Sequence, residues 1–226
     1  VRIPTAKGIA HPVRSVSLAL QQGEMLALVG ESGSGKSITA QAIIGLLPES
    51  AIISSKQLLC DRKKMAMIFQ NPMATFNPVL TIGYQIAEPL RVLHGYNKKA
   101  ATAEAIRLLE RMQIHDAEQK MCCYAHEFSG GMLQRAAIAM ALACKPQLLI
   151  ADEPTTALDV STQAEVMQLL AELRREKNLA ILFITHDLAL VAQQADRVAV
   201  MYQGEIIETG NTQQLLQSPQ HIYTKT

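Results

Sequence analysis

Residues 30–37 read Gly30-Glu31-Ser32-Gly33-Ser34-Gly35-Lys36-Ser37: a glycine, four residues, a second glycine, a lysine and a serine. An aliphatic run, Met25 to Val29, comes directly before them, and a segment that reads as a helix follows. Glycines let the backbone wrap closely around a phosphate, so that successive N–H groups and the positive end of the helix dipole face it. The stretch therefore predicts a phosphate-binding P-loop between a strand and a helix.

The predicted nucleotide contacts lie in the P-loop and in the first turn of the helix that follows it. Lys36 is expected to reach the β- and γ-phosphates, and Ser37 to ligate Mg²⁺. ATP and Mg²⁺ are therefore the predicted cofactors. The predicted ATP-binding residues are Gly30, Ser32, Gly33, Ser34, Gly35, Lys36, Ser37 and Thr39.

Short aliphatic runs alternate along the chain with longer segments of helical periodicity, such as residues 166–173. This alternation predicts an α/β fold with a mostly parallel sheet. A short strand at Glu205 to Glu208 and a helix at Thr212 to Gln217 are expected near the end. The predicted parallel strands are Met25 to Val29, Met65 to Phe69, Leu148 to Ala151, Ala180 to Ile184 and Val198 to Met201.

The alternation breaks at residues 81–145, where apolar side chains repeat with helical spacing and no convincing strand appears. So long a stretch exceeds what one crossover between strands needs. We predict a single domain over residues 1–226. Its core and β part are formed by residues 1–80 and 146–226, and a helical subdomain is inserted at 81–145.

Composition excludes several classes of protein. Hydrophobic residues make up 49% of the chain, charged residues 18%, and the formal net charge is +1. A core can therefore be buried, and the basic stripe of a nucleic-acid binder is missing, so we expect no nucleic-acid partner. The longest apolar run, Ala136 to Cys144, is far shorter than the roughly 20 residues of a membrane-spanning helix. With no signal peptide before Val16, we expect a soluble globular protein.

The four cysteines, Cys60, Cys122, Cys123 and Cys144, fit reduced thiols better than a disulfide framework. A metal site could be imagined at residues 122, 123 and 126, but a second spaced pair of ligands is missing. We therefore predict free thiols.

Two acids, Asp152 and Glu153, follow the aliphatic run that begins at Leu148. Such a pair could merely place negative charge at a helix N-terminus. It would also lie at the carboxyl end of the sheet, where open α/β folds bind ligands. Together with the P-loop, the pair predicts that Asp152 completes the Mg²⁺ shell and that Glu153 is the general base or positions the attacking water.

Four further stretches complete a set of six motifs: Gln70, Phe128 to Arg135, Thr156 to Asp159, and Ile184 to Asp187. With these motifs in this order, nearly the whole chain resembles the nucleotide-binding subunit of an ATP-binding-cassette (ABC) transporter. The resemblance implies a RecA-like P-loop NTPase core with a parallel sheet, a small antiparallel β part and an inserted helical subdomain that carries the family signature.

The resemblance also implies roles for individual residues. Glu153, His186 and Gln70 would be catalytic, with His186 on the γ-phosphate, while Ser37, Gln70 and Asp152 would hold Mg²⁺. Asp159 would be the D-loop residue near the seam between two subunits. The signature residues Ser129, Gly130, Gly131 and Met132 begin a helix, which makes a second anion site for the partner subunit's ATP.

Three stretches narrow the branch: Asn71 to Pro78, Ala151 to Asp159 and Ser218 to Thr224 are similar to peptide and nickel importers. The resemblance implies uptake of di- or oligopeptides or of nickel or metal chelates, and both remain open. It implies a second ATPase, identical or different, two permeases and a solute-binding protein. The chain would sit peripherally on the cytoplasmic face of the cell membrane, touching the membrane only through the permeases.

Three features depart from the family pattern. No Phe, Tyr or Trp precedes Phe69, and Ile3 is nearest to the position of the ring that stacks on adenine. The stacking residue stays open, and we predict only modest discrimination of ATP from GTP. The segment from Pro48 to Phe69 is shorter than usual, and relatives continue beyond Thr226, so completeness of these regions and of the N-terminus is open.

Other functional classes fit less well. ABC ATPases of chromosome maintenance separate P-loop and signature by a very long coiled coil, and translation-associated members carry two cassettes. A soluble non-transport ATPase or a regulatory cassette remains the alternative, although Glu153 and His186 are both present.

Overall fold

A six-stranded sheet forms the centre of the molecule, with strand order β4-β5-β6-β3-β7-β8. The computed structural model describes residues 1–5, 8–55, 61–156 and 158–225. A separate two-stranded antiparallel sheet pairs β1 with β2. The strands are β1 Ile3–Thr5, β2 Gly8–Ala10, β3 Met25–Val29, β4 Met65–Ile68, β5 Leu148–Asp152, β6 Ala180–Ile184, β7 Arg197–Tyr202 and β8 Glu205–Asn211.

Helices cover the sheet and form a cluster beside it. They are α1 Lys36–Ile44, α2 Pro72–Thr75, α3 Ile82–His94, α4 Lys98–Arg111, α5 Ala117–Lys120, α6 Gly130–Ala143, α7 Val160–Lys177, α8 Leu188–Gln194 and α9 Thr212–Gln217. Short 3₁₀ turns lie at Arg62–Lys64, Ala125–Glu127 and Ile222–Lys225. Among the described ranges, no helix is long and apolar enough to cross a bilayer.

The five strands from β4 to β7 in this order are parallel, and only β8 runs antiparallel to its neighbour. Parallel strands covered on both faces read as unbroken aliphatic runs, which is why the sequence located them. The predicted α/β fold and the five predicted strands are confirmed, with shifts of one residue at some ends.

Alternate residues of the central strands face two separate cores. On β3, Leu26 and Leu28 pack with Ala40 of α1 on one face of the sheet. Met25 and Ala27 join the larger core on the other face, which includes residues of the long helices. The two-residue period of a strand thus places a helical layer on each side of the sheet.

Between residues 81 and 145 the described chain contains helices and no strand. α3, α4 and α6 pack against one another, and α6 also touches β4, which connects this cluster to the sheet. The cluster matches the helical character expected there, while the boundaries of the predicted subdomain remain a prediction.

β8 extends to Asn211, three residues beyond the predicted strand at Glu205 to Glu208. Its residues pair with β7 along that length, with a bulge between Val200 and Met201. Because β8 is an edge strand with partly exposed side chains, its run of aliphatic residues ends before its hydrogen bonding to β7 does. The predicted helix from Thr212 to Gln217 is confirmed as α9.

Candidate active site

Four neighbouring parallel strands end at one edge of the sheet, and each delivers a predicted site residue there. β3 leads into the P-loop, β5 ends at Asp152, β6 leads to His186, and β4 is followed by Gln70. In a parallel sheet the carboxyl ends of the strands meet, and side chains that are distant in sequence come together.

The P-loop needs glycine both for its backbone angles and for close approach. Gly30 and Gly35 have φ of 152° and 108°. A Cβ on Gly30 would lie 2.1 Å from the carbonyl oxygen of Met201, and one on Gly35 would lie 2.3 Å from that of Pro12. Any side chain here would be both strained and blocked, so the loop depends on glycine at these two positions.

Lys36 closes the loop from the inside. Its Nζ donates hydrogen bonds to the carbonyl oxygens of Gly30 at 2.7 Å and Glu31 at 2.9 Å. Burial lowers the pKa of the Lys36 ammonium, while the charges of Glu153 and Asp152 oppose that shift. The two carbonyls hold a partly desolvated positive charge at the centre of the loop, where a phosphate would need it.

Asp152 and Ser37 meet across 115 positions of sequence. The Ser37 hydroxyl donates a hydrogen bond of 3.1 Å to Asp152 Oδ1. Burial raises the pKa of the Asp152 carboxyl, and the Ser37 hydrogen bond partly offsets the rise. A hydroxyl and a carboxylate oxygen side by side are hard oxygen ligands, so this pair fits Mg²⁺ shared with phosphate oxygens.

Glu153 follows β5 in a left-handed backbone conformation, with φ of 47°. Its N–H donates to the carbonyl of Ile184, 2.9 Å away. Positive φ in a residue other than glycine costs on the order of 1–3 kcal/mol and concentrates at functional sites. The strained turn directs Glu153 differently from Asp152, as expected for two adjacent acids with separate roles.

The Glu153 carboxylate gathers the other two predicted catalytic residues. Gln70 Nε2 donates to Glu153 Oε2 at 3.0 Å, and His186 Nδ1 lies 3.3 Å from Oε1. The Thr156 hydroxyl donates to the same Oε2 at 2.8 Å. Gln70 was also a predicted Mg²⁺ ligand, and the structure pairs it with Glu153.

Thr156 received no role in the sequence analysis beyond its place in the D-loop stretch. Its contact with Glu153 depends on the left-handed turn at Glu153, which residue spacing does not reveal. Thr39, a predicted ATP-binding residue, lies behind the loop: its buried hydroxyl donates to the carbonyl of Gly35 at 2.9 Å. The buried Ser34 hydroxyl has no hydrogen-bond partner.

The signature lies at the N-terminus of α6. Ser129 caps the helix, and its Oγ accepts a hydrogen bond from the Met132 N–H at 3.3 Å. Ser129 and Gly130 are exposed. Nothing lies within 4 Å of where a Cβ on Gly130 would be, whereas one on Gly131 would lie 2.6 Å from Thr162 Cγ2.

The D-loop residue Asp159 meets the signature through Thr162. Asp159 caps α7, accepting hydrogen bonds from the N–H of Thr162 at 3.0 Å and from its hydroxyl at 2.7 Å. These bonds lower the pKa of Asp159. The methyl group of the same threonine faces Gly131, so one side chain joins the two motifs within the chain.

An aromatic residue far along the chain contacts the P-loop. Ile3 is half-buried in β1. The Tyr223 hydroxyl accepts a hydrogen bond from the Glu31 N–H at 3.1 Å, and its ring packs on Tyr202 with centroids 4.4 Å apart. Neither tyrosine had a predicted role, because the adenine-stacking ring was expected near the start of the chain.

Three of the four cysteines lie in the described part of the chain. Cys122, Cys123 and Cys144 are free, and burial raises the pKa of the Cys144 thiol. Over the part of the chain that the structure describes, no group of three or more His, Cys, Asp or Glu could hold a metal ion. Cys60 lies outside the described residues.

A family model described as ABC transporter matches residues 13–156 of this sequence. The chain belongs to the ABC transporter family. The match covers the P-loop and the two acids after β5, and it confirms the family resemblance that the motifs indicated.

Curated ABC proteins are similar over nearly the whole chain. The glutathione import ATP-binding protein GsiA of Escherichia coli (strain K12) is 46% identical, and that of Shigella flexneri is 47% identical. Each alignment covers 94% of this chain and 38% of the relative. The chain thus spans well under half the length of these relatives.

Solved ABC structures share the fold. The ATP-binding cassette MJ0796, a dimer bound to ADP and Pi, is 27% identical with a TM-score of 0.78, and the alignment covers 93% of this chain and 95% of that one. CbiO1 from Clostridium perfringens, part of the transporter complex cbiONQ, is 26% identical with a TM-score of 0.77, covering 96% and 88%. The P-loop NTPase fold class is confirmed.

Proposed function

We propose that this chain binds ATP with Mg²⁺ and hydrolyses it as the ATPase subunit of an importer. The observation that carries the proposal is the convergence of Gln70 and His186 on Glu153, which follows directly after Asp152 and its Ser37 hydrogen bond. A general base needs to be held within reach of its proton by oriented neighbours. The names of the curated relatives, which are import ATP-binding proteins, support the same function.

The geometry suggests a division of labour at the site. The loop N–H groups and Lys36 would bind the phosphates, and Ser37 and Asp152 would hold Mg²⁺, which when bound would neutralise charge on the phosphate oxygens. Glu153 takes a proton from the attacking water, whose oxygen bonds to the γ-phosphorus as ADP leaves. Gln70, Thr156 and His186 orient the Glu153 carboxylate before ATP arrives.

The chain works as one half of an ATPase pair. The N-terminus of α6 is exposed at Ser129 and Gly130, and an exposed helix N-terminus attracts anions. We propose that it contacts the γ-phosphate bound to the P-loop of a second ATPase subunit, identical or homologous. MJ0796, a relative of similar fold, is a dimer, which supports this arrangement.

Coupling to two permeases would use the surface that follows Gln70. Exposed apolar side chains cluster along this stretch of chain: Met73 is 50% exposed, Val79 75% and Tyr84 47%. Apolar side chains of this size are usual at protein interfaces. We propose that this surface meets the permeases on the cytoplasmic face of the membrane, and that a solute-binding protein delivers the cargo.

Of the two cargo classes that the motifs left open, we propose the peptide class. The similar curated proteins are named for glutathione, which is a tripeptide, and none of those named above is described as a nickel importer. Small peptide-like solutes are therefore the first cargo to test, with nickel chelates as the alternative.

Glu153→Gln tests the hydrolytic site. Losing a general base costs about 10²- to 10⁴-fold in rate. The variant should bind ATP normally and hydrolyse it that much more slowly, as measured by phosphate release and by fluorescent-nucleotide binding. Glu172→Gln, the same change at an exposed position of α7, should hydrolyse ATP at the wild-type rate. Near-normal turnover by Glu153→Gln would assign the base wrongly.

Reconstitution tests the importer assignment. The purified chain should hydrolyse ATP weakly, and the complex with a second ATPase, permeases and loaded solute-binding protein should do so faster. Glutathione, a dipeptide and a nickel chelate are compared as cargo in the same vesicles. If none stimulates hydrolysis above the isolated chain, the importer proposal gives way to a non-transport ATPase.

A further inference from the structure

The segment of residues 218–225, called here the C-terminal clasp, folds back onto the sheet after α9. The carboxylate of Glu208 on β8 accepts the N–H of Gln220 at 2.7 Å and that of His221 at 3.1 Å. His221 Nδ1 then accepts the N–H of Tyr223 at 3.2 Å. Three hydrogen bonds thus fix the path of the clasp up to Tyr223.

Tyr223 carries the clasp to the P-loop. Its ring packs on Tyr202, the last residue of β7, at an interplanar angle of 39°. Its hydroxyl accepts the Glu31 N–H at 3.1 Å, across 192 positions of sequence. Because β7 lies beside β3, the strand that enters the loop, the packed ring holds the hydroxyl next to the loop.

A second residue from the later part of the chain also contacts the P-loop. Gly204, in the turn between β7 and β8, donates its N–H to the carbonyl of Ser34 at 2.9 Å. The P-loop is therefore held at Glu31 and at Ser34 by the C-terminal part of the chain, and from inside by Lys36.

We infer that Tyr223 is a positioning residue for the P-loop and that the C-terminal clasp strengthens nucleotide binding. The inference rests on the proposed binding of ATP at this loop. Of the loop residues 30–37, only Glu31 is not among the predicted ATP-binding residues. Its N–H can therefore remain hydrogen-bonded to Tyr223 while the other N–H groups bind phosphate.

The physical reason is conformational entropy. Fixing a backbone residue costs conformational entropy, and a loop with positive φ at Gly30, Gly33 and Gly35 has more freedom to lose than most. When Lys36 turns towards a phosphate it leaves the carbonyls of Gly30 and Glu31. The Tyr223 hydrogen bond, on the N–H of Glu31, does not depend on Lys36 and continues to hold the loop.

Matched substitutions within one pair of rings test the inference. Tyr223→Phe keeps the ring and removes the hydroxyl that contacts Glu31. Tyr202→Phe makes the same change in the neighbouring ring, whose hydroxyl accepts a hydrogen bond from Gln203 instead. Binding of a fluorescent ATP analogue to the full chain should weaken about two- to tenfold in Tyr223→Phe, the effect of losing the hydrogen bond to Glu31, and stay unchanged in Tyr202→Phe.

Two further measurements separate positioning from general stability. Hydrogen exchange of the nucleotide-free chain should become faster at Glu31 in Tyr223→Phe and not in Tyr202→Phe, at equal melting temperatures. In steady-state hydrolysis KM should rise while kcat stays the same, because Tyr223 does not touch the reacting groups.

The possible outcomes separate the role of Tyr223 from the proposed function. Equal affinities of the two variants, or unchanged exchange at Glu31, overturn the inference and leave the proposed function intact. Tighter binding by Tyr223→Phe also overturns it, because the hydroxyl would then compete with phosphate for the loop. A wild-type chain that does not bind the analogue overturns the proposed function and, with it, the role assigned to Tyr223.

Discussion

The two predicted anion sites, the P-loop and the signature, differ in how many of their contacts this chain supplies. At the P-loop, Lys36 and Asp152 are only 6% and 5% exposed, and both are hydrogen-bonded by neighbours. At the signature, Ser129 and Gly130 face solvent, with space beside Gly130 for another molecule. The P-loop is thus organised before nucleotide binds, while the signature surface is open, as the proposed pairing with a second subunit requires.

The largest expected effect comes from removing the charge at the organised site. Lys36→Ala deletes a charged hydrogen-bond donor, worth about 1.5–3 kcal/mol, and should weaken ATP binding roughly 10- to 150-fold. Isothermal titration with Mg·ATP measures the change. Lys98→Ala, on the exposed first turn of α4, is the control and should bind like the wild type. Similar ATP affinities for both variants would show that Lys36 does not contribute to nucleotide binding at the P-loop.

Adding a methyl group at the two signature glycines should change the free energy of unfolding at one position and not at the other. Gly131→Ala places a Cβ 2.6 Å from Thr162 Cγ2 and should lower the free energy of unfolding by about 1–3 kcal/mol, as overpacking does. Gly130→Ala meets no atom within 4 Å and should not lower it. Urea denaturation of the isolated chain measures both. In the assembled pair, Gly130→Ala should nevertheless slow ATP hydrolysis if a partner's nucleotide approaches this surface.

A second substitution sharpens that result. Thr162→Ser removes the methyl group that blocks Gly131→Ala and keeps the hydroxyl that bonds Asp159. The double variant should therefore recover most of the stability lost by Gly131→Ala alone. If it recovers nothing, the contact between signature and D-loop is not the cause of the loss.

A smaller effect is expected at the hydroxyl beside the base. Thr156→Val removes one hydrogen bond to Glu153 Oε2, worth about 0.5–1.5 kcal/mol, and should lower kcat about two- to tenfold. Thr156→Ser retains the hydroxyl and should restore the rate. Steady-state hydrolysis with saturating ATP distinguishes the two variants, and equal rates would show that Thr156 does not orient the base.

The smallest effect concerns pH and the anchor of the C-terminal clasp. Hydrogen bonds to the carboxylate, the strongest from the N–H of Gln220 and a weaker one from that of His221, lower the pKa of the Glu208 carboxyl below its usual value. The anchor's contribution is therefore fully present above that value and is lost as pH falls through the lower folded pKa. Protection of the amides of residues 220 and 221 against hydrogen exchange, relative to their intrinsic exchange at each pH, should fall over this acid range. Glu208→Gln should show reduced protection already at neutral pH, with no further loss on acidification.

Much of the fold followed from local pattern. The P-loop, the acids after β5 and the five parallel strands were predictable because buried parallel strands are unbroken aliphatic runs and because a phosphate loop needs its glycines in fixed order. The family followed from six motifs in order. The roles assigned to Glu153, His186 and the signature, and the domain boundaries, stay predictions that the variants above address.

The sequence by itself determined the fold class, the family and which residue types carry the chemistry, since these depend on spacing along the chain. The tertiary structure alone decided that Thr156 turns back onto Glu153, that Thr162 joins Gly131 to Asp159, and that Tyr223 reaches Glu31. The last of these contacts spans 192 positions, and the first depends on a single positive φ. Neither leaves a periodic trace: the Tyr223 contact is set by where the packed strands end, and the Thr156 contact by the local turn at Glu153.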